Sequence, residues 1–299
     1  MKKNLYIDHS QIKGKNFKVL LDDYLVKSSE TISKYRSLKK YLPNYFWNNE
    51  KIKQKDAYEI TLIKDEILKY LVKKLEKIHD EKKTTRYWEI ILLPWLDSLI
   101  PKIFHFWKIT SKLNYKYQAH IYNYNSKDFI CDNFGDIQYY ENIDFNRWLL
   151  SEIIIYQDKL TYKTKKKTVQ KKITKNFKKN YLLKILKIFF KFFSYFFKTS
   201  VMIDNIQMTK LKYILLSLSL KQFPFFWIRD DISIKNIDDK KREYLTSKNE
   251  QKNLINFLKI KMFYLFPKNY LENYSVIKKN LEKSYWPKNP KIIITSTSY

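Results

Sequence analysis

The chain has 299 residues, of which 44% are hydrophobic and 17% aromatic, enough to bury a real core and too apolar for a wholly disordered protein. Its net charge is +29, yet it holds only two glycines, Gly14 and Gly135, and one cysteine, Cys131. No phosphate cradle of the G-x-G-x-x-G or P-loop kind can be written, and an internal disulfide framework or Cys-cluster zinc site is excluded.

The charge has a simple origin. Of 59 basic residues only Arg36, Arg86, Arg147, Arg229 and Arg242 are arginine, while Lys, Asn, Ile, Tyr and Phe abound. That set is encoded by AT-rich codons, so much of the lysine excess reflects base composition rather than a nucleic-acid partner. Where lysine is the default, an arginine points to a position that needs its planar fork. Met1-Lys2-Lys3-Asn4 leads into no long apolar run, and no stretch of eighteen apolar residues is free of charge, so neither a signal peptide nor a spanning helix is read.

In chain order, Phe17-Lys18-Val19-Leu20-Leu21, stopped by Asp22-Asp23, reads as a buried parallel strand. Tyr45-Phe46-Trp47-Asn48-Asn49-Glu50 runs three aromatics into polar residues, a loop or a helix start. From Asp56 to Asp80, Ile60, Ile63, Ile67, Leu71, Leu75 and Ile78 make one apolar stripe of a helix. His79 ends it and reads as a carbonyl cap.

Arg86 to Leu96 is the organising stretch. Trp88, Leu92, Trp95 and Leu99 recur at helical spacing, as do Tyr87, Ile90, Ile91 and Trp95, which predicts a buried helix. Arg86 and Glu89 stand three apart and can pair. Pro94 and Pro101 should kink or interrupt the helix. The same aromatics also suit the wall of a binding site, since Trp and Tyr offer flat faces with a polar edge. His105, among Phe104, Phe106 and Trp107, reads as core.

Lys116 to Tyr124 alternates as a strand does, and Phe145 to Ile154 returns to helical spacing. Residues 161–203 hold thirteen lysines and no acid. Thr161 to Asn180 reads as a basic linker or solvated helix. Tyr181 to Phe197 is aromatic and aliphatic, broken by Lys184, Lys187, Lys191 and then Lys198, which fall within about 60–80° of one another on a helix. Such a helix is either a core helix with one wet edge or one that lies in a membrane interface with its lysines reaching headgroups. Ile214 to Leu220 reads as a buried helix or strand, and Arg229-Asp230-Asp231 as a charged loop. Trp286-Pro287 and Pro290 mark a linker before Ile292-Ile293-Ile294, a strand running into hydroxyl residues as an α/β unit begins.

Several of these stretches resemble, in this order, a bacterial transferase family found with surface-polysaccharide (O-antigen and capsule) biosynthesis. Tyr45, Trp47, Asn48 and Asn49 match its aromatic Y-H-W segment, with Phe46 in place of the histidine. Arg86, Tyr87, Trp88, Ile90, Pro94, Trp95 and Leu96 match R-Y-W-x-I followed by P-W-L, with Leu93 where glycine is usual. His105 and Phe106 stand where an Asp-Arg pair is common. Tyr270-Leu271-Glu272, Trp286-Pro287-Lys288 and Ile292 to Ser296 resemble its passage into a second half.

The resemblance implies a helix-rich α/β fold, the Rossmann-like N-terminal half of a GT-B-type glycosyltransferase with the C-terminal half absent. It divides the chain into an acceptor-side domain over 1–285 and, over 286–299, a linker with the first strand of a donor-binding domain. Strand 292–296 is then expected to lack neighbours, and the chain alone to transfer no sugar. The implied reaction moves a nucleotide-activated sugar to a glycan or lipid-linked glycan acceptor at the cytoplasmic face of the membrane, with no cofactor and no metal. Tyr45, Trp47, Asn48, Arg86, Trp88 and Trp95 are the acceptor-binding candidates, and no catalytic residue is assigned. Lys184, Lys187, Lys191 and Lys198 are the candidates for contact with an anionic membrane. A non-catalytic peripheral membrane protein and a nucleic-acid binder using 161–203 are the alternatives; no nucleic-acid motif supports the second.

Overall fold

The computed structural model describes residues 3–7, 17–20, 41–42, 49–113, 115–133, 142–169, 181–196, 200–204, 208–224, 236–247, 251–284 and 290–295. The strands are β1 Lys3–Tyr6, β2 Phe17–Leu20, β3 Tyr41–Leu42, β4 Tyr117–Asn123, β5 Thr161–Lys166, β6 Val201–Asp204 and β7 Ile292–Thr295. The helices are α1 Glu50–His79, α2 Thr85–Ser111, α3 Ile143–Gln157, α4 Tyr181–Phe196, α5 Lys210–Ser219, α6 Asp239–Leu245, α7 Leu254–Leu265 and α8 Tyr274–Glu282. Two compact units divide them: residues 1–171 with 235–272, and residues 172–234 with 273–299. Residues 161–203, a basic linker and an amphipathic segment by sequence, are shared between the two units.

The first unit is built on a five-stranded sheet in the order β3-β2-β1-β4-β5. Every neighbouring pair is parallel, with Leu5 level with Lys18 on one side and Ala119 on the other. Strand order thus reverses at β1, the arrangement that opens a crevice at the carboxyl ends of a parallel sheet. The strands expected near Phe17 and Lys116 are present. β1 escapes the sequence reading because it begins on Lys3 and Asn4, although Leu5, Tyr6 and Ile7 are buried. Thr161–Lys166, expected in a linker or helix, is instead β5. Its residues are all exposed, and its lysines guard a sheet edge while Thr161, Tyr162 and Thr164 supply strand propensity.

Helices α1 and α2 form an antiparallel pair. Asn49 starts α1 by accepting from the amides of Lys51 and Ile52 at 3.0 and 3.3 Å, an N-cap contact. Lys108 reaches Glu59 at 2.9 Å and Lys64 reaches Asp97 at 2.7 Å, joining the first half of α1 to the middle and C-terminal end of α2. The α1 stripe is buried at Ile63, Ile67, Leu71 and Leu75 as expected, joined by Leu68 and Val72. α2 is the core helix: Trp88, Leu92, Trp95, Leu96, Leu99, Ile100 and Ile103 have no exposed surface. It is long and apolar enough to cross a membrane, but over half of that window is buried within the fold.

The expected interruption of α2 does not occur; the helix runs through both Pro94 and Pro101. A proline frees the carbonyl four residues back. Here those residues are Ile90 and Asp97, both on the exposed side of the helix, where water can satisfy them. Two helix ends show how a glycine-poor chain turns a corner. Asp80 after α1 and Asp158 after α3 adopt left-handed backbone, φ 51° and 52°, where glycine is usual and a short polar side chain is the next choice.

The segment 235–272 seals this unit. Tyr70 of α1 donates to the Leu245 carbonyl at 2.7 Å, and Lys259 of α7 pairs with Glu66 at 2.7 Å. Lys261 of α7 pairs with Glu152 of α3. Arg242 is fully buried and holds Glu272 through two bonds, Nε to Oε1 at 2.6 Å and Nη2 to Oε2 at 2.8 Å. Its Nη1 donates to the carbonyls of Phe263 and Phe266 at 2.7 and 2.9 Å. Four bonds in one plane explain why this position carries arginine.

In the second unit β6 and β7 pair in parallel, Val201 opposite Ile292 and Asp204 opposite Thr295. The expectation that strand 292–296 has no neighbour is therefore overturned. Its partner is the apolar run Val201 to Ile203, which followed the lysine-rich helix closely enough in sequence to be read with it. Gln222 holds β6 from the side, its amide donating to the Val201 carbonyl at 2.7 Å and accepting the Val201 amide at 3.2 Å. Phe193 of α4 stacks on Phe223 at 4.8 Å, beside Phe190. Ile214 to Leu220, expected as buried, belongs to α5 and is largely exposed: Leu215 and Leu218 show 57% and 58% of their surface.

Candidate functional site

At the carboxyl ends of β4 and β5 lies an open cleft of about 540 Å3, lined by Asn123, Tyr124, Asn125, Asp128, Lys166, Lys167 and Thr168. β4 stops at Asn123, and a short 3-10 turn, Ser126–Phe129, follows with Asn125 accepting from the Lys127 amide at 3.2 Å. The turn is bolted to α3. The Trp148 indole donates to the Ser126 hydroxyl at 3.1 Å, and Trp148 stacks on Phe129 at 4.8 Å. On the other side the Lys167 amide bonds the Asn123 carbonyl at 3.1 Å, extending the ladder past β5.

Asp144, in the first turn of α3, holds two of the lining side chains from behind. It accepts from the Tyr124 hydroxyl at 3.1 Å and from Lys167 Nζ at 2.8 Å, with Arg147 Nη1 at 4.0 Å. Lys167 and Arg147 also lie over the Tyr122 ring, at 4.7 and 5.9 Å. One carboxylate thus faces two cations, and the lining itself sets Asp128 against Lys166 and Lys167, so the site is net positive. Burial first, and then the Asp144 charge, drive the Tyr124 phenol well above its ordinary range. Tyr124 therefore stays protonated and acts as a donor, never as a base, at neutral pH. The cleft presents amide, carboxylate, hydroxyl and ammonium groups around one ring edge, a set that recognises hydroxyl-rich and phosphate-bearing ligands.

Further back on β4, His120 Nε2 donates to Asn4 Oδ1 at 3.1 Å, and the imidazole stacks on Tyr6 at 4.3 Å. These groups straddle β1 and β4, where the strand order reverses. Burial, with a smaller push from Lys163, lowers the His120 pKa, so the ring is neutral at pH 7.

The sequence-derived candidates lie elsewhere. Trp88 and Trp95 are fully buried. Trp88 stacks on His79 at 6.1 Å and Trp95 meets Phe266 edge-on at 5.2 Å, so neither lends a free face to a ligand. Arg86 is exposed and pairs with Glu89 at 3.2 Å. His79 donates to the Tyr270 carbonyl at 3.1 Å, capping a distant segment rather than its own helix. Tyr45, Trp47, Asn48 and Lys198 lie outside the described residues, as do the side chains of Lys184 and Lys187; Lys191 is exposed on α4. Among the described residues no three His, Cys, Asp or Glu side chains converge as a metal site would need. The cleft itself went unread in the sequence. Its signal was positional: an alternating strand, a capping Asn125 and then a helix mark the carboxyl edge of a βα unit.

The profile of the family described as LIC12162 family transferase matches residues 10–299, and the chain belongs to this transferase family. No curated protein and no solved structure matches it.

Proposed function

We propose that this chain is a glycosyltransferase of surface-polysaccharide biosynthesis whose cleft at the ends of β4 and β5 takes the acceptor glycan. One observation carries the reading: a polar, net-positive cleft sits at the carboxyl edge of a parallel sheet, beside the reversal of its strand order. In a transferase of the GT-B type this sheet is the Rossmann-like acceptor side. Asn123, Asn125 and Thr168 bond sugar hydroxyls, and Lys166 and Lys167 face the phosphate of a lipid-linked glycan. The donor is a nucleotide-activated sugar. An acceptor hydroxyl oxygen forms the new bond to the anomeric carbon. The bond from that carbon to the nucleoside diphosphate breaks with its electron pair, and the hydroxyl proton passes to a base or to water. A lipid-linked acceptor places the work at the inner face of the cytoplasmic membrane.

The test is binding and transfer on the same preparation. Glycans and lipid-linked glycans of the producing cell are titrated against the wild-type chain and against Lys167→Met and Asn125→Ala, followed by saturation-transfer NMR. Release of nucleoside diphosphate is followed in parallel with uridine-, guanosine-, thymidine- and cytidine-activated sugars. Acceptor binding that weakens roughly tenfold or more in the variants, about 1.4 kcal/mol, supports the assignment. Glycan binding that neither variant alters removes the cleft from the mechanism.

A further inference from the structure

The second unit carries two helices with apolar faces turned to solvent. On α4, Ile185, Ile188, Phe189, Phe192 and Phe196 are 63%, 70%, 46%, 58% and 68% exposed. At 100° per residue these five positions occupy about 100° of arc. The other flank is partly occupied: Phe190 is buried and Phe193 stacks on Phe223, with Leu186 between them 44% exposed. Lys191 is exposed and lies about 60° beyond the edge of the apolar strip. Positions 184 and 187 fall in the same sector as 191. A core helix with one wet edge would have buried Phe189 and left only its lysines outside.

α5 repeats the pattern. Leu211, Leu215 and Leu218 are 67%, 57% and 58% exposed, within about 60° of arc. Lys210 and Lys212 flank that strip on either side, and Lys221 follows the helix. Neither α4 nor α5 contains an acidic residue. Exposed apolar strips of this size mark an interaction surface. A protein partner would require a complementary rim, whereas lysines edging an apolar strip with no acid among them match anionic headgroups above an acyl layer.

We infer that α4 and α5 are a bilayer-docking surface, in which Ile188, Phe192, Leu211 and Leu215 enter the interface of an anionic membrane while Lys191 and Lys212 contact its headgroups. The idea deepens the lipid-linked-acceptor reading, on which its biological sense rests, but vesicle binding is measured without any sugar. Failure of docking leaves the transfer reaction standing, and failure of transfer leaves docking standing.

The experiment is co-sedimentation of the full chain with large vesicles of phosphatidylcholine alone or of phosphatidylcholine with phosphatidylglycerol, at low and high salt. Expected is binding to the anionic vesicles only, weakening as salt rises. Lys191→Glu should lower the partition coefficient roughly fivefold or more. Ile188→Ser/Phe192→Ser and Leu211→Ser/Leu215→Ser should each lower it at least tenfold with the melting temperature unchanged, because these side chains are already exposed. Three results overturn the inference. The wild-type chain does not sediment with anionic vesicles at low salt. Or it sediments, but the serine variants bind as well as wild type, which reduces the effect to adsorption of a basic chain. Or light scattering shows a dimer that the serine variants dissociate, which makes a second copy the occupant of the face.

Discussion

Arg242→Met tests whether the closing segment of the first unit is held by its buried ion pair. Both side chains are out of solvent, at 0% and 1% exposure. The substitution leaves the Glu272 carboxylate buried with the Asp238 amide at 3.3 Å as its remaining hydrogen-bond donor among the described residues. It also strips Nη1 from the Phe263 and Phe266 carbonyls. Removing one partner of a buried pair costs about 3–5 kcal/mol, and a buried carbonyl left unsatisfied adds about 1–3 kcal/mol. A loss of at least about 4 kcal/mol is expected, a large share of the 5–15 kcal/mol that holds a typical domain. Arg242→Lys should lose nearly as much, since one ammonium cannot replace a fork that makes four bonds. Arg242→Met/Glu272→Leu should recover part of the loss, because no charge is then buried, but not all of it, because the two carbonyls stay unpaired. Urea denaturation followed by far-UV circular dichroism measures all three, with a constant m-value required for the comparison. A single variant within about 1 kcal/mol of wild type, or a double variant no better than the single, would refute the reasoning.

Three further expectations are more local. Trp88→Ala should cost about 3–5 kcal/mol as a fully buried aromatic; a small loss of stability together with loss of glycan binding in titration would instead restore it as a site wall. Asp144→Ala should cost about 1–3 kcal/mol by leaving the Tyr124 hydroxyl and Lys167 without their acceptor, and acceptor binding by NMR should weaken with it; unchanged binding would make Asp144 irrelevant to the cleft. His79 is held below its ordinary value of 6.5, first by burial, so the unfolded chain takes up this proton at higher pH than the folded one. Its contribution is full above about 6.5 and falls as pH drops through the folded value, so urea midpoints should decline between about pH 7 and 5 and His79→Gln should flatten that slope; a midpoint that rises on acidification contradicts the assignment.

The fold was legible where periodicity and burial coincide. The stripe from Ile63 to Leu75 and the face of Trp88, Leu92, Trp95 and Leu99 could be read because each is buried on the side its spacing predicts, whereas the second face expected of α2 is not buried, Ile90 being 64% exposed. Reading failed where the environment, not the pattern, decides. β5 is an exposed edge strand made of threonine, tyrosine and lysine, and lysine is what a strand edge and a solvated linker have in common. β7 looked solitary because its partner β6 lies some ninety residues earlier, a distance no local signal spans. The prolines of α2 suggested a kink or an interruption, and the helix is not interrupted, since the carbonyls they release lie on its exposed side.

The site was less legible than the fold, and the reason is chemical. Rare residue types draw attention, so Trp88, Trp95 and Arg86 stood out against a background of lysine and isoleucine. Large aromatics are also the best core material, and in α2 burial claimed them. The cleft instead uses common residues, Asn123, Asn125, Lys166 and Lys167, which acquire meaning only from where the parallel strands end. The arginines divide the same way. Arg242 sits buried with its fork on Glu272, as the planar-fork argument requires, Arg147 is buried with one nitrogen 4.0 Å from Asp144, and Arg86 is an exposed partner of Glu89. In a chain whose composition drifts towards lysine, a residue's rarity therefore reports a demanding contact only where the fold buries it, as at Arg242 and not at Arg86, and position in the fold also separates a contact that holds the core from one that meets a ligand.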